Sequence, residues 1–88
     1  MEKRLVEIHD TGDGCLYQLF MTQDDILAIL NMRVLRKHKI DLPSIQGSAT
    51  LSGDELAIAY GHAHGTGKID AEFSVLRQTL ESAFQSFN

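Results

Sequence analysis

From Leu5 to Asp10 and from Cys15 to Met21 apolar and polar residues alternate, and the two runs flank Thr11-Gly12-Asp13-Gly14. Apolar residues at every second position mark a strand with one face buried. The Gly-Asp pair between the runs predicts a hairpin with Gly12-Asp13 as a two-residue loop. That loop sets Ile8 opposite Tyr17 and Val6 opposite Leu19 on one face. His9 then faces Leu16, Glu7 faces Gln18 and Leu5 faces Phe20 on the other. One face is wholly apolar and the other mixed, as expected of a hairpin covering a core on one side.

After Thr22 the period changes. Ile26, Leu27, Ile29, Leu30 and Val34 recur at helical spacing, Thr22 is placed to cap, and Asp24 and Asp25 stand in the first turn. Arg33, Arg36, Lys37, His38 and Lys39 suit a helix C-terminus, so a helix of about fifteen residues is expected. Ala28, Met32 and Leu35 form a second apolar strip on its far side, which a second subunit could cover. Asp41-Leu42-Pro43-Ser44 ends the helix, since proline disfavours helical geometry at the preceding residue as well.

The chain then repeats itself in outline. Gly47 to Ser52 and Glu55 to Gly61 flank Gly53-Asp54, a second hairpin in which Leu51 faces Leu56, Ala49 faces Ile58 and Gly47 faces Tyr60. The stretch from Gly61 to Asp70 reads as a long polar joint, with Asp70 as N-cap of a last helix. In that helix Phe73, Leu76, Leu80, Ala83, Phe84 and Phe87 make one apolar stripe, and Arg77, Gln78, Glu81, Ser82 and Gln85 face water. The expected architecture is a single α+β domain over residues 1–88: a four-stranded antiparallel sheet in ββαββα order with both helices on one face.

Composition narrows the class. A chain of 88 residues with 43% hydrophobic and 23% charged residues is an ordinary small globular domain, near the size where one core only just suffices. The net charge of −4 speaks against nucleic acid as the main partner, because backbone binding needs clustered cations. Cys15 is the single cysteine, so no internal disulfide can form and a reducing, cytoplasmic setting is expected. The first residues alternate instead of forming a signal-peptide core, and the longest apolar run, Ile26 to Leu30, cannot cross a bilayer.

Candidate chemistry gathers in the 61–70 stretch. Gly65-Thr66-Gly67-Lys68 resembles the tail of a P-loop, following a strand and preceding a helix, and Gly65, Gly67 and Lys68 are the candidate anion-binding residues. The resemblance covers four residues only: His62 stands where the first glycine belongs and Ile69 where a hydroxyl would hold magnesium. His62 and His64, two apart, could share a cation as half of a metal site, with His9, Cys15, Asp13 or a symmetry mate to complete it. His9 points to the opposite face, and Cys15, beside Tyr17, is expected to be buried.

No nucleophile constellation emerges. Ser44, Ser48 and Ser52 have no base placed by sequence, and Cys15 has no cationic neighbour to lower its pKa. Neither an enzyme nor a cofactor-dependent protein is therefore expected. Apolar surface is in excess at Leu5, Leu16, Phe20, Ala28, Met32, Leu35, Ala57 and Ala59. This points to a small non-catalytic protein working through protein contacts as a homodimer, with a heterologous protein partner also compatible. The alternative is a ligand-binding module using the 61–70 loop for a metal ion or an anion.

Overall fold

The computed structural model describes residues 2–32, 37–62 and 65–87. Two strands, β1 (Lys3–His9) and β2 (Leu16–Thr22), lead into helix α1 (Gln23–Leu30). Strand β3 (His38–Leu42) follows, then a 3-10 turn (Pro43–Ile45), strands β4 (Gly47–Ser52), β5 (Glu55–His62) and β6 (Gly65–Glu72), and helix α2 (Phe73–Gln85). The class is α+β, but the order is ββαββββα, and the strands form two antiparallel sheets instead of one. Among the described residues, β1 pairs with β2 alone, while β3-β4-β5-β6 make a four-stranded meander.

Both expected hairpin registers hold. Val6 faces Leu19, Ile8 faces Tyr17 and His9 faces Leu16, while Ala49 faces Ile58 and Leu51 faces Leu56. The second bend is the two-residue Gly53-Asp54 loop, with Gly53 at φ +62° as such a bend demands. The first bend is wider. Gly14 donates its N–H to the Asp10 carbonyl at 3.1 Å and Asp10 donates to the Cys15 carbonyl at 2.9 Å, so Thr11 is released from Gly14. The side chain of Asp10 causes this by accepting the Gly12 and Asp13 amides at 2.7 and 3.1 Å, an Asx-type turn.

Two strands replace elements read otherwise from the sequence. Helix α1 ends at Leu30, eight residues long, where fifteen were expected. Thr22 does cap it, accepting the Asp25 amide at 3.3 Å. Asp41 and Leu42 belong to β3, and the half-buried Ile40 and fully buried Leu42 give that short strand its inward face. Arg33, Val34, Leu35 and Arg36 lie outside the described residues. Within the 61–70 stretch, Gly61 and His62 instead end β5 and Gly65 to Asp70 belong to β6, with Ile58 facing Ile69 and Leu56 facing Ala71. Asp70 is therefore a strand residue and not a cap. Helix α2 begins at Phe73, whose amide donates to the Asp54 carbonyl at 2.8 Å.

One continuous core collects Val6, Ile8, Leu19 and Met21 from the first sheet, Leu51, Leu56, Ile58 and Ile69 from the second, and Ile26, Ile29 and Leu80 from the helices. Each such side chain contributes about 1.5–3 kcal/mol on leaving water, as an upper figure against an extended unfolded chain. The expected stripe of α2 is realised: Phe73, Leu76 and Leu80 are buried and Ala83, Phe84 and Phe87 pack against them. Tyr17 and Tyr60 both belong to this inward side and meet edge to face, with ring centroids 6.5 Å apart.

Close approach fixes two glycines. At Gly67 a Cβ would lie 2.7 Å from the Tyr60 hydroxyl, so the tyrosine ring occupies the space that a side chain would take. At Gly47 a methyl would overlap the carbonyl oxygen of Ala59 on the neighbouring strand. Backbone cannot yield there as a side-chain tip can, so Gly47→Ala is expected to destabilise the fold by about 2–3 kcal/mol. Chemical denaturation of the two proteins checks this, and unchanged stability would contradict the packing described.

Candidate functional site

The polar centre of the molecule is the corner where the β1–β2 bend meets β6. Asp10 is buried at the end of β1. One carboxylate oxygen holds the bend through Gly12 and Asp13, and the other accepts the Asp70 amide of β6 at 3.0 Å. Thr11 completes the link, donating its amide to the Asp70 carbonyl at 2.9 Å and its hydroxyl to the same oxygen at 3.2 Å. The Asp70 amide, then those of Asp13 and Gly12, hold the Asp10 carboxyl below the usual carboxylate range, because each donates to the charged form.

Asp13 organises the outer side of the corner. It accepts the Cys15 amide at 2.8 Å and the Tyr17 hydroxyl at 3.3 Å. Cys15 is exposed and not buried as expected, because the widened bend carries it beyond the end of the strand ladder. Its thiol is pushed up by the hydrogen bond to Asp13 and by that carboxylate's charge. Burial, and then the charge of Asp13, raise the Tyr17 phenol likewise. The corner thus keeps a thiol protonated, the opposite of an activated nucleophile.

The anion candidates Gly65, Gly67 and Lys68 lie in β6, paired with His62, Tyr60 and Ala59. The strand continues to Glu72 before the helix starts, so the glycine-rich run is not folded as a loop at a helix N-terminus. Lys68 sits 3.3 Å from the Asp70 carboxylate, both side chains more than half exposed. His62 ends β5, and His64 lies outside the described residues. His9 is exposed on the outer face of the hairpin. Among the described residues, no three histidine, cysteine or carboxylate side chains come together as metal ligands.

The interface candidates separate into different surfaces. Leu5, Leu16 and Phe20 share the outer face of the β1–β2 hairpin and are 42%, 46% and 60% exposed. Ala57 and Ala59 belong to the other sheet, so the single apolar face expected from a continuous sheet does not exist. Ala28 is half-buried, and Met32, only 4% exposed, packs in the core of this chain and not on its surface. Leu35 lies outside the described residues.

No family model, curated protein or solved structure matches this chain. Its chemistry therefore has to be read from its own surfaces. Asp10 is the residue that pattern reading passed over, although an aspartate leading into Thr-Gly-Asp-Gly is itself a signal for an Asx turn. Among the described residues, no helix is long and apolar enough to cross a membrane.

Two outcomes follow from the corner. With its native pKa lowered, Asp10 contributes stability that is complete above its unfolded value of about 3.9 and is lost as pH falls through the native value. Asp10→Asn points an amide donor at backbone donors. It should lower the melting temperature at pH 7 and flatten the acid limb of the stability profile, both read by circular dichroism. The Cys15 thiol should alkylate with iodoacetamide more slowly at pH 8 than a thiol in an unstructured peptide, and Asp13→Asn should speed it. An unchanged rate in that variant would mean that Asp13 does not control the thiol.

Proposed function

We propose that this chain is a small non-catalytic protein that acts through protein contacts, as a regulator, adaptor or inhibitor, and that it does so as a homodimer. The protein-contact part of the reading rests on the outer face of the β1–β2 hairpin. Leu5 is the direct cross-strand neighbour of Phe20, and Leu16 stands two positions along from Gln18, which lies between the two apolar residues on β2. Three large apolar side chains exposed on one face form a patch, not scattered surface residues. At about 25 cal/mol per Å² of apolar surface covered, a partner seated there gains from Leu5, Phe20 and Leu16, while the Glu7–Gln18 pair between them, hydrogen-bonded at 3.5 Å, must be met by polar groups.

A catalytic role draws no comparable support, since the accessible thiol is held protonated by Asp13. An anion module at 61–70 draws little, because β6 residues are committed to pairing with β5 and Lys68 already has Asp70 beside it. A lone exposed cysteine suits a reducing compartment such as the cytoplasm.

The patch is tested with the full chain immobilised against lysate of its native host, in wild-type form and as the Leu16→Asp/Phe20→Asp double variant. These positions are exposed, so each replacement should alter stability by no more than about 0.5 kcal/mol, which melting curves verify. The wild-type chain should retain a partner in stoichiometric amount that the double variant loses. Equal retention by both would overturn the hairpin face as the contact surface.

A further inference from the structure

The outer face of the four-stranded sheet is distinct from the hairpin patch, and its register builds an ordered charge pattern. Lys39, Thr50, Ala57 and Asp70 make one row across β3, β4, β5 and β6. Asp41, Ser48, Ala59 and Lys68 make the next. Residues two apart on a strand share a face, and each of these is exposed or half-buried. Within these two rows the middle strands supply only methyls and hydroxyls, so the floor there is flat; the next row along, Ser52, Glu55 and Glu72, adds two carboxylates at one end. The four corners carry full charges, alternating in sign around the face: Lys39 and Asp41 on one edge, Lys68 and Asp70 on the other.

Such a face is its own complement. A second copy turned about a two-fold axis parallel to the strands, between β4 and β5, lays its β6 edge over the β3 edge of the first. Lys39 then meets the partner subunit's Asp70, and Asp41 meets the partner subunit's Lys68, each contact occurring twice by symmetry. Because Lys68 and Asp70 are already 3.3 Å apart within one copy, each new contact joins an existing pair into a network, and networks are what make surface charges count.

We infer that this face is the two-fold interface through which the chain pairs with a second copy of itself. The inference rests on the homodimer reading above and assigns its surface. A chain of net charge −4 repels its own copies over most approaches, whereas these four corners sum to zero and attract in this orientation. The low floor of Ser48, Thr50, Ala57 and Ala59 allows two sheets to stack face to face, in the aligned packing of twisted sheets about 10 Å apart. A four-stranded face of this length covers on the order of 300 Å² per copy, which belongs to weak, reversible association and not to an obligate dimer. The hairpin patch stays open to another protein.

Sedimentation of the whole chain from about 20 μM to 1 mM, in low and high salt, tests the assignment. Lys39→Asp/Lys68→Asp gives four acidic corners and Asp41→Lys/Asp70→Lys gives four basic ones. Each variant alone should self-associate about tenfold more weakly than wild type or less, and an equimolar mixture of the two should recover a one-to-one complex that salt dissolves. If wild type pairs and both variants pair equally well, another surface makes the dimer: the inference falls while the homodimer stands. If wild type remains monomeric throughout, the homodimer itself is overturned.

Discussion

The architecture depends on one carboxylate serving three backbone amides. Asp10 accepts from Gly12 and Asp13 in its own bend and from Asp70 in a strand far along the chain. That third bond joins the two from Thr11 to the Asp70 carbonyl in a hydrogen-bonded seam between the two sheets at this end. A buried carboxylate is costly unless its oxygens are satisfied, and here three donors satisfy it. The result is directional: Thr11 adds its own bond to the Asp70 carbonyl, so the hairpin is tied to β6 at this corner. From that corner β1 runs on toward α2, which packs against it.

That tie explains why excess apolar surface is divided. In a single continuous sheet the outward residues of both hairpins would have formed one broad face. Because β1 and β2 stand apart from the meander, Leu5, Leu16 and Phe20 face outward on one sheet. The second sheet presents small residues framed by paired charges. The two surfaces differ in chemistry, and they suit partners of different kinds. An apolar patch gains from any complementary apolar surface, whereas an alternating square of charges selects orientation.

The 61–70 stretch shows how topology reassigns residues. Glycines, a lysine and histidines in one run suggest a ligand loop when read as letters. Inside β6 the same glycines do other things: Gly67 leaves room for the Tyr60 ring, and Lys68 stands beside Asp70 on a strand surface. The tyrosine in turn meets Tyr17 from the other sheet, so a position that looked like phosphate chemistry is part of how the sheets pack. Asp13 shows the converse, since a residue read as half of a turn and as a candidate metal ligand raises the Cys15 thiol and, after burial, the Tyr17 phenol.

Local physics settled the two hairpin registers, the Thr22 cap and the buried stripe of α2, because each depends on side-chain periods and on bend residues a few positions apart. The length of α1 was not legible, since a basic run after a helix fits a helix end and a following strand equally well. Nor were β3 and β6. His38–Leu42 is short and half charged, and Gly65–Glu72 offers only Ile69 and Ala71 as inward signals, so both become strands by pairing with β4 and β5. The seam at Asp10 and the charge square on the outer sheet lie beyond the letters for the same reason. They join residues separated by most of the chain, and only the packed core decides which of them meet.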